Sequence, residues 1–330
     1  MADQANHLPT QPRVAASPAS RRGFLLAAGA ATVLTACGSG TIESALVPSR
    51  IISFGDGMSD VGQSGNRYTV NDTSVNIWAA QMAYNYGVTL TASNKGGLGY
   101  AQGNARVLGT PDAAGNAATL SVKQQIDKFL ASNAFGPNDL VLVSGGTSDV
   151  IAEMASVTAG KQTSAQMVDN VGKAGQDLAA QLQRLVQAGA KYVVVSGVYN
   201  VGRSPWANAI GQTSVLGTAS AKFNEQLLVN IVNLGANVLY ADAAYYFNLV
   251  ISTPTAYNLL DSTSVMCTSV DANNGLGIGA GQVSSYLCTA STIASGKDYT
   301  KYVFADPVYF TPAAQALFGN FAYTRLKARW

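Results

Sequence analysis

Short, largely apolar segments alternate with segments of helical periodicity from Arg50 to the end of this 330-residue chain. The apolar segments include residues 50–54, 139–144, 191–196 and 237–241, and residues that favour turns bound them. A strand whose side chains are apolar on both faces is typical of the centre of a parallel sheet, because helices cover both sides of it. The alternation therefore predicts one α/β domain in which a mostly parallel sheet lies between two layers of helices.

The helices are predicted from apolar residues that recur at steps of three and four. The clearest one runs from about residue 165 to residue 187 and stops before Gly189, a residue type that ends helices. The other predicted elements are helices over residues 76–86, 121–132, 219–234, 243–252 and 311–325, and a last strand over residues 302–305. Ligands of such sheets bind at the carboxyl ends of the strands, so we expect the site residues directly after them.

The first 36 residues have the pattern of an export signal. Residues 20–25 (SRRGFL) resemble a twin-arginine motif, and the apolar run from Leu25 to Ala36 is too short to span a bilayer. Residues 34–37 (LTAC) resemble a bacterial lipobox, which implies cleavage before Cys37 and lipidation of its thiol. The alternatives are a plain signal peptide and an N-terminal membrane helix.

This signal sets the predicted domain organisation and location. We expect a signal peptide over residues 1–36, a short tether over residues 37–49 and a single domain over residues 50–330. The membrane is then a partner through lipidated Cys37, and the protein lies in the bacterial cell envelope. Gly38, rather than an aspartate, follows Cys37, which favours the outer membrane or the periplasmic face.

The charge of the chain argues against a polyanionic partner. The chain has 20 basic and 18 acidic side chains, of which three basic and one acidic lie in residues 1–36, so the remainder carries 17 of each sign. No segment of the sequence concentrates lysine and arginine, as the binding of phosphate backbones requires. We therefore expect no nucleic acid partner.

Two cysteines remain after Cys37, namely Cys267 and Cys288. An even pair in an exported chain indicates a disulfide, because that compartment is oxidising. The bridge would close a Gly- and Ser-rich loop that has no regular apolar periodicity. Two buried free thiols are the alternative, and a metal site is disfavoured because no histidine lies nearby.

Four short blocks contain the residues that are candidates for chemistry. They are residues 52–60 (ISFGDGMSD), 96–106 (GGLGYAQGNAR), 143–149 (VSGGTSD) and 304–312 (FADPVYFTP). The blocks resemble, in the same order, those of the GDSL/SGNH hydrolases. The resemblance implies the flavodoxin-like three-layer α/β/α fold of that family and, as a class of activity, the hydrolysis of esters without a cofactor or a metal.

In active relatives each block has a role that the resemblance assigns. The first supplies a nucleophilic serine, the second a backbone N–H and the third an asparagine amide that stabilise the oxyanion. The last supplies a histidine base and an aspartate that orients it. In this chain the matching positions are Gly57, Gly103, Ser148, Tyr309 and Asp306, which we call the relic site.

Only two positions of the relic site keep the residue type of the family, Gly103 and Asp306. Gly57 has no side-chain oxygen, and the phenol of Tyr309 is a poor general base near neutral pH because its ordinary pKa is about 10. His7 is the single histidine of the chain and lies in the segment expected to be removed. No shift of the alignment therefore restores a Ser-His-Asp triad.

Three other groups of residues could in principle replace the missing catalytic groups, and each of them also has a purely structural interpretation. Ser59 is a weak alternative nucleophile, since it lacks a base and a hydroxyl in a turn more commonly bonds to backbone. A Ser-Lys dyad with Lys95 has no support from spacing. Asp56 and Asp60 resemble a carboxylate pair for a metal, but we expect them to bond backbone N–H groups instead, and we predict no metal site.

We therefore predict a catalytically inert envelope lipoprotein that acts by binding a ligand or a protein partner. A small ester, acyl or glycan ligand would contact Gly57, Gly103, Asn104, Ser148 and Tyr309 in the relic site. Phe310, Tyr299 and Tyr302 would extend this site as a stacking platform, or else these aromatic side chains fill it. The alternatives are an ester hydrolase with altered machinery and a purely structural envelope lipoprotein.

Overall fold

Four parallel strands form the centre of the structure, a computed structural model that describes residues 44–72 and 77–330. They are β1 (Arg50–Phe54), β2 (Asp139–Ser144), β3 (Tyr192–Ser196) and β4 (Val238–Ala241), in this order across the sheet. Ile52 pairs with Val141, which pairs with Val193, and all three are buried. Helices flank the sheet, so the predicted α/β fold with a mostly parallel sheet is confirmed.

The helices pack in two groups. In one group α4 runs along α6 and also contacts α2 and α3, and in the other α8 contacts α1 and α7. The helices are α1 (Trp78–Asn85), α2 (Val122–Leu130), α3 (Thr147–Thr158), α4 (Ser164–Gln187), α5 (Pro205–Ala209), α6 (Thr213–Ile231), α7 (Ala243–Ser252) and α8 (Pro312–Lys327).

The helix ends follow the side-chain chemistry of the sequence. Ser121 and Gln124 form a capping box at the start of α2, and Thr163 and Gln166 form another at the start of α4. In each box the hydroxyl accepts a hydrogen bond from one backbone N–H that the first turn leaves unpaired, and the glutamine accepts another. Thr311 caps α8, and Pro312 occupies its first position. Proline has no backbone N–H, but the N–H of this position would have no partner within the helix.

Three helical regions differ from the sequence-based expectation, and one of them is the short helix α5, which was not expected. No helix was expected directly after β2, yet α3 begins at Thr147 within the third block and buries Val150, Ile151 and Met154. The helix predicted over residues 219–234 begins earlier, at Thr213. Its first turns lie so close to Gly202 that a side chain there would overlap them, which is a tertiary contact without a local signal.

Several short strands were also not expected. The segment around Gly99 pairs with Ser53 at the outer side of β1. Strand β5 (Asp261–Val265) pairs in parallel with β8 (Tyr302–Phe304), whereas β6 (Val270–Asp271) and β7 (Gln282–Val283) form an antiparallel pair. Of these strands β8 was predicted, whereas β5, β6 and β7 were not, because they lack apolar alternation and lie outside the central sheet.

A disulfide joins Cys267 and Cys288, as predicted, and closes a loop with a sequence separation of 21. Both cysteines are buried with Val70 and Ala305 in a small cluster beside the main core. The bridge therefore ties two points of the long connection between β5 and β8 to each other, beside Ala305 of the fourth block.

The N-terminal part of the described chain already packs on the domain before β1. Leu46 is buried in the core, and Ser49 N–H donates to the carbonyl of Asn138 at 3.1 Å. The twin-arginine motif, the lipobox, Cys37 and the first part of the predicted tether lie outside the described residues. No helix in residues 44–72 and 77–330 is both long and apolar enough to cross a membrane.

Candidate functional site

The first block forms a tight turn at the carboxyl end of β1. Ser59 N–H donates to the carbonyl of Asp56 at 3.0 Å, which places Gly57 inside the turn. A side chain at position 57 would therefore lie at the carboxyl edge of the sheet, where parallel α/β proteins bind their ligands.

The aromatic ring of Tyr309 occupies the space beside Gly57. A Cβ added at Gly57 would lie 2.8 Å from both Cζ and Oη of Tyr309, closer than side chains tolerate. The structure thus brings together the two positions that the sequence blocks match to nucleophile and base. It also leaves no room for a side chain at position 57 while the tyrosine is present.

Tyr309 is fully buried. Its ring centroid lies 5.0 Å from that of Tyr68, and its hydroxyl has no hydrogen-bond partner among the described residues. Burial raises the pKa of Tyr309 well above its ordinary value, and the nearby carboxylate of Asp56 acts in the same direction. The phenol therefore stays protonated and cannot accept a proton from a nucleophile.

The carboxylate of Asp306 accepts hydrogen bonds from backbone N–H groups rather than from an imidazole. Its Oδ1 accepts hydrogen bonds from the N–H groups of Val308 at 2.8 Å and Tyr309 at 2.6 Å, and its Oδ2 accepts one from Ser285 at 2.9 Å. Burial raises the pKa of Asp306, and these hydrogen bonds oppose the effect. The carboxyl thus fixes the loop that presents the tyrosine.

The second block closes the other side of the turn. Gly103 N–H donates to Oδ2 of Asp60 at 2.8 Å, so this donor is already engaged. A Cβ at Gly103 would overlap the ring of Tyr68. Asn104 donates to the carbonyl of Gly275 at 2.8 Å and to Tyr68 Oη at 3.2 Å, and its Oδ1 is buried without a partner among the described residues.

The third block contributes the start of α3. Ser148 is fully buried, and its Oγ has no hydrogen-bond partner among the described residues. Asp56 accepts the backbone N–H of Thr147 at 3.2 Å and lies at the positive end of the helix. Burial nevertheless raises the pKa of Asp56 to about 6, because desolvation outweighs the hydrogen bonds that it accepts.

Ser59 and the two aspartates of the first block bond within the domain. Ser59 Oγ lies 2.7 Å from Ser144 Oγ and accepts the indole N–H of Trp78 at 3.0 Å. Asp60 accepts the N–H groups of Gly62 and Gln63 in addition to that of Gly103. Among the described residues, the direct neighbours of Ser59 Oγ are thus a hydroxyl and an indole and not a base, while Ser144 in turn donates to Oδ1 of Asp56 at 3.5 Å. Both aspartates also have backbone partners.

The aromatic residues of the fourth block and its surroundings point in different directions. Phe310 stacks on Phe247 with ring centroids 3.8 Å apart, inside the core. Tyr299 donates its hydroxyl to Asp72 at 2.6 Å, and the ammonium of Lys297 lies over the ring of Tyr302. They do not form one open platform beside Gly57.

Sequence reasoning did not identify three residues that complete this site. Tyr68 covers Gly103 and contacts Tyr309, Trp78 bonds Ser59, and Tyr199 donates its hydroxyl to the carbonyl of Val308 at 2.7 Å. All three lie outside the four blocks, so no motif or spacing marked them.

The family can now be decided from the whole chain. The model of the GDSL-like lipase/acylhydrolase family matches residues 51–321. The chain belongs to this family.

Curated relatives of this GDSL-family chain are distant and longer than it is. It is 26% identical over 310 residues to the protein of the trpE-trpG intergenic region of Pseudomonas putida, and this match covers 86% of the chain and 49% of the relative. It is 29% identical over 190 residues to Lipase 1 of Photorhabdus luminescens, covering 56% and 27%. The chain thus spans about half of the first relative and about a quarter of the second.

Solved structures with similar folds include two that are named as lipolytic or esterase proteins. A member of the lipolytic G-D-S-L family from Veillonella parvula has a TM-score of 0.40 at 11% identity, over 83% of this chain and 95% of that one. Est24, a carbohydrate acetylesterase from Sinorhizobium meliloti, has a TM-score of 0.45 at 14% identity, over 85% and 99%.

A cavity of about 260 Å³ lies near the start of α3, where this GDSL-family chain places charged rather than apolar side chains. Burial raises the pKa of Asp149 in its wall to about 7, against the attraction of Arg106. The residues of the relic site are not part of its lining, which comprises Arg106, Leu108, Gly109, Asp149, Glu153, Asn170, Lys173, Ala174 and Asp177.

Proposed function

We propose that this GDSL-family protein does not hydrolyse esters and acts at the cell envelope by binding a partner. The observation that carries the proposal is the ring of Tyr309, which fills the space of the missing nucleophile side chain at Gly57. Acyl transfer in the manner of the family needs an attacking oxygen and a group that takes its proton, and neither position offers one.

The packing around the relic site supports a partner at the surface rather than a ligand inside it. Asn104, Ser148 and Tyr309 are all buried, and the rings of Tyr68 and Tyr309 cover the two glycines. A small ester, acyl or glycan ligand would need these rings to move. Binding would then cost the packing that they provide.

The alternative function, ester hydrolysis with altered machinery, would have to use Ser59. That serine is buried, and both neighbours of its Oγ, Ser144 and Trp78, are groups that do not take up a proton at neutral pH. This arrangement favours the reading in which Ser59 stabilises the turn.

A fluorophosphonate probe and short- and medium-chain p-nitrophenyl esters test the proposal directly. We expect no covalent adduct and only the background rate of ester hydrolysis with the purified chain. Turnover that disappears in Ser59→Ala, or an adduct on any serine, would establish the alternative instead.

Reconstruction of the catalytic pair tests the assignment of the two positions. Because positions 57 and 309 are in contact, Gly57→Ser combined with Tyr309→His should create measurable esterase activity, and adding Ser148→Asn should increase it. Gly57→Ser alone serves as the control and should remain inactive, since it still lacks a base. A folded double variant without any activity would contradict the assignment.

We also propose that Cys37 attaches the protein to the envelope membrane. The lipobox-like segment before it supports this anchor. Metabolic labelling with a radioactive fatty acid should label the chain and should fail to label Cys37→Ser. Equal labelling of both would show that the anchor is elsewhere.

A further inference from the structure

We propose that the edge of the sheet where β1 to β4 begin is a membrane-facing surface that binds anionic lipid headgroups. The inference depends on the proposed lipid anchor at Cys37 in one respect only, because the anchor determines which membrane the surface would contact. The surface itself is defined by charges and contacts within the described residues.

The turns and helix ends at this edge are joined by direct contacts. Ser49 N–H bonds Asn138 before β1 and β2, and Asn237 donates to the carbonyl of Lys191 at 3.2 Å before β4 and β3. The rings of Tyr192 and Trp330 lie 5.3 Å apart, which brings the chain after α8 to the start of β3. These contacts make the edge one continuous surface.

Five cations from distant parts of the sequence stand on the helix ends and turns that border this surface, and we call them the basic edge. None of the ion pairs among the described residues includes them. They are Lys128 in the last turn of α2, Lys191 before β3, Arg325 and Lys327 in the last turn of α8, and Arg329 after it.

The carboxylates at the same edge are already neutralised. Asp139 pairs with Arg50 at 2.5 Å, and Asp127 pairs with Lys123 and Arg184. Within residues 44–72 and 77–330, no other acidic side chain lies in the turns before the four strands or in the last turns of α2, α4, α6 and α8. The basic edge therefore carries excess positive charge although the chain after residue 36 is balanced.

Exposed apolar side chains accompany these cations. Val47, which precedes β1, and Val232, which follows α6, are each 73% exposed, and Val229 in the last turn of α6 is also exposed. Cations interspersed with apolar side chains are typical of surfaces that rest on anionic bilayers.

The path of the chain leads to the same edge. The first described residues run along it to Ser49, and Cys37 lies seven positions before Ser44. Seven residues reach at most about 25 Å, so an acylated Cys37 would hold this edge near the headgroups. Charge complementarity then selects the basic edge, rather than another face, to lie on the membrane.

Lysine reactivity in vesicles tests this orientation without removing any part of the chain. The full chain is reconstituted into vesicles of phosphatidylcholine, with or without phosphatidylglycerol, and labelled with a membrane-impermeant amine reagent. We expect Lys128, Lys191 and Lys327 to react at least about five times more slowly in the anionic vesicles, because one basic residue near an anionic surface already favours the bound state by about that factor and the basic edge has five. Salt at about 0.5 M should remove the protection.

Two lysines elsewhere in the fold are internal controls. Lys95 lies in the turn near Asp60 of the first block, and Lys161 lies between α3 and α4, at the end of α4 opposite the basic edge. Both are exposed and should react at similar rates in the two vesicle types. Slowed labelling of all five lysines would mean general shielding and would overturn the proposal.

Charge reversal provides a second measurement. Lys191→Glu with Lys327→Glu should abolish the protection of Lys128 in anionic vesicles, whereas Lys95→Glu with Lys161→Glu should preserve it. Equal rates in both vesicle types for the unaltered chain would overturn the proposal. Protection that needs envelope proteins would do so as well, since the surface would then bind a protein. Neither outcome bears on ester hydrolysis, so this test is separate from that of catalytic inertness.

Discussion

The contact between Gly57 and Tyr309 couples the two positions. A serine at position 57 would collide with the tyrosine ring, and a histidine at position 309 would face a glycine with no oxygen to activate. The two residues thus form one unit, in which the large aromatic side chain fills the space that a side chain at position 57 would need.

Stability measurements can detect this unit. Gly57→Ala should lower the free energy of unfolding by about 1–3 kcal/mol, because its Cβ would force the buried ring of Tyr309 to move. In a Tyr309→Ala background the same substitution should cost much less, since the obstacle is gone. Urea unfolding of the four chains in this double-mutant cycle gives the coupling.

Gly145 offers a matched control for that measurement. A Cβ there would lie 3.6 Å or more from its neighbours, in ordinary van der Waals contact. Gly145→Ala should therefore cost less than Gly57→Ala and should show no coupling to Tyr309→Ala. Equal costs at the two glycines would contradict the steric explanation.

Buried carboxyls make the stability depend on pH in a defined direction. Burial raises the pKa of Asp149 from 3.8 to about 7, so the folded chain keeps a proton that the unfolded chain has lost. This contribution is complete below the unfolded pKa of about 4 and is lost as the pH rises through about 7. In Asp149→Asn the fall of the unfolding free energy over this window should be smaller, as urea titrations at several pH values will show.

Asp261 serves as a control because its pKa is shifted in the opposite direction from that of Asp149. Burial opposes the shift there, but hydrogen bonds from Ser264 and Thr263 outweigh it and lower the pKa to about 2. Its contribution is present above the unfolded pKa of about 4 and disappears only as the pH falls through about 2. Asp261→Asn should leave the slope between about pH 4 and 7 unchanged. A slope identical in all three proteins would contradict the assignment to Asp149.

At the scale of elements, the close approach of α4 and α6 depends on small residues. A Cβ at Gly175 would lie 2.3 Å from the carbonyl oxygen of Phe223, which is rigid backbone. A Cβ at Gly172, one turn earlier, would meet the flexible side chain of Lys222 instead. The helix pair therefore requires glycine at only one of these two positions.

This difference predicts unequal results for two similar substitutions. Gly175→Ala should destabilise the protein by about 1–3 kcal/mol, because α4 and α6 must separate. Gly172→Ala should cost clearly less, because the side chain of Lys222 can turn away and because alanine favours a helix over glycine by about 1 kcal/mol. Thermal unfolding of both variants measures the difference, and equal melting temperatures would contradict the packing described.

At the scale of the whole molecule, the disulfide stabilises a region that has little core of its own. The cluster around Cys267 and Cys288 is small, and the regular structure of the loop between them is two short strands and one turn of 3-10 helix. Cys267→Ala with Cys288→Ala should lower the free energy of unfolding by about 3 kcal/mol. Because the loop contacts Asp306 through Ser285, proteolysis of the variant should begin in residues 267–306.

Comparison with an unaltered chain under reducing conditions completes that experiment. Reduction should produce the same loss of stability as the double substitution. If neither treatment changes the unfolding free energy, the connection between β5 and β8 is held by its hydrogen bonds alone.

Much of the fold was predictable from residues 50–330, and the failures have a physical pattern. Strands β1 to β4 and the long helices follow from apolar periodicity, which reflects burial on a regular face. Helix α3 was missed because its first turn belongs to a site block, and the early start of α6 depends on its contact with Gly202. The strands β5 to β7 were missed because their side chains are mostly exposed or half-buried.

The sequence by itself determined the α/β class, the family blocks, the disulfide and the absence of a nucleophile and a base at positions 57 and 309. These properties depend on residue type and local order. Only the tertiary structure decided that Tyr309 and Tyr68 cover the relic site, and that the chain after α8 meets the start of β3. Contacts between distant segments arise from packing, which no local pattern encodes.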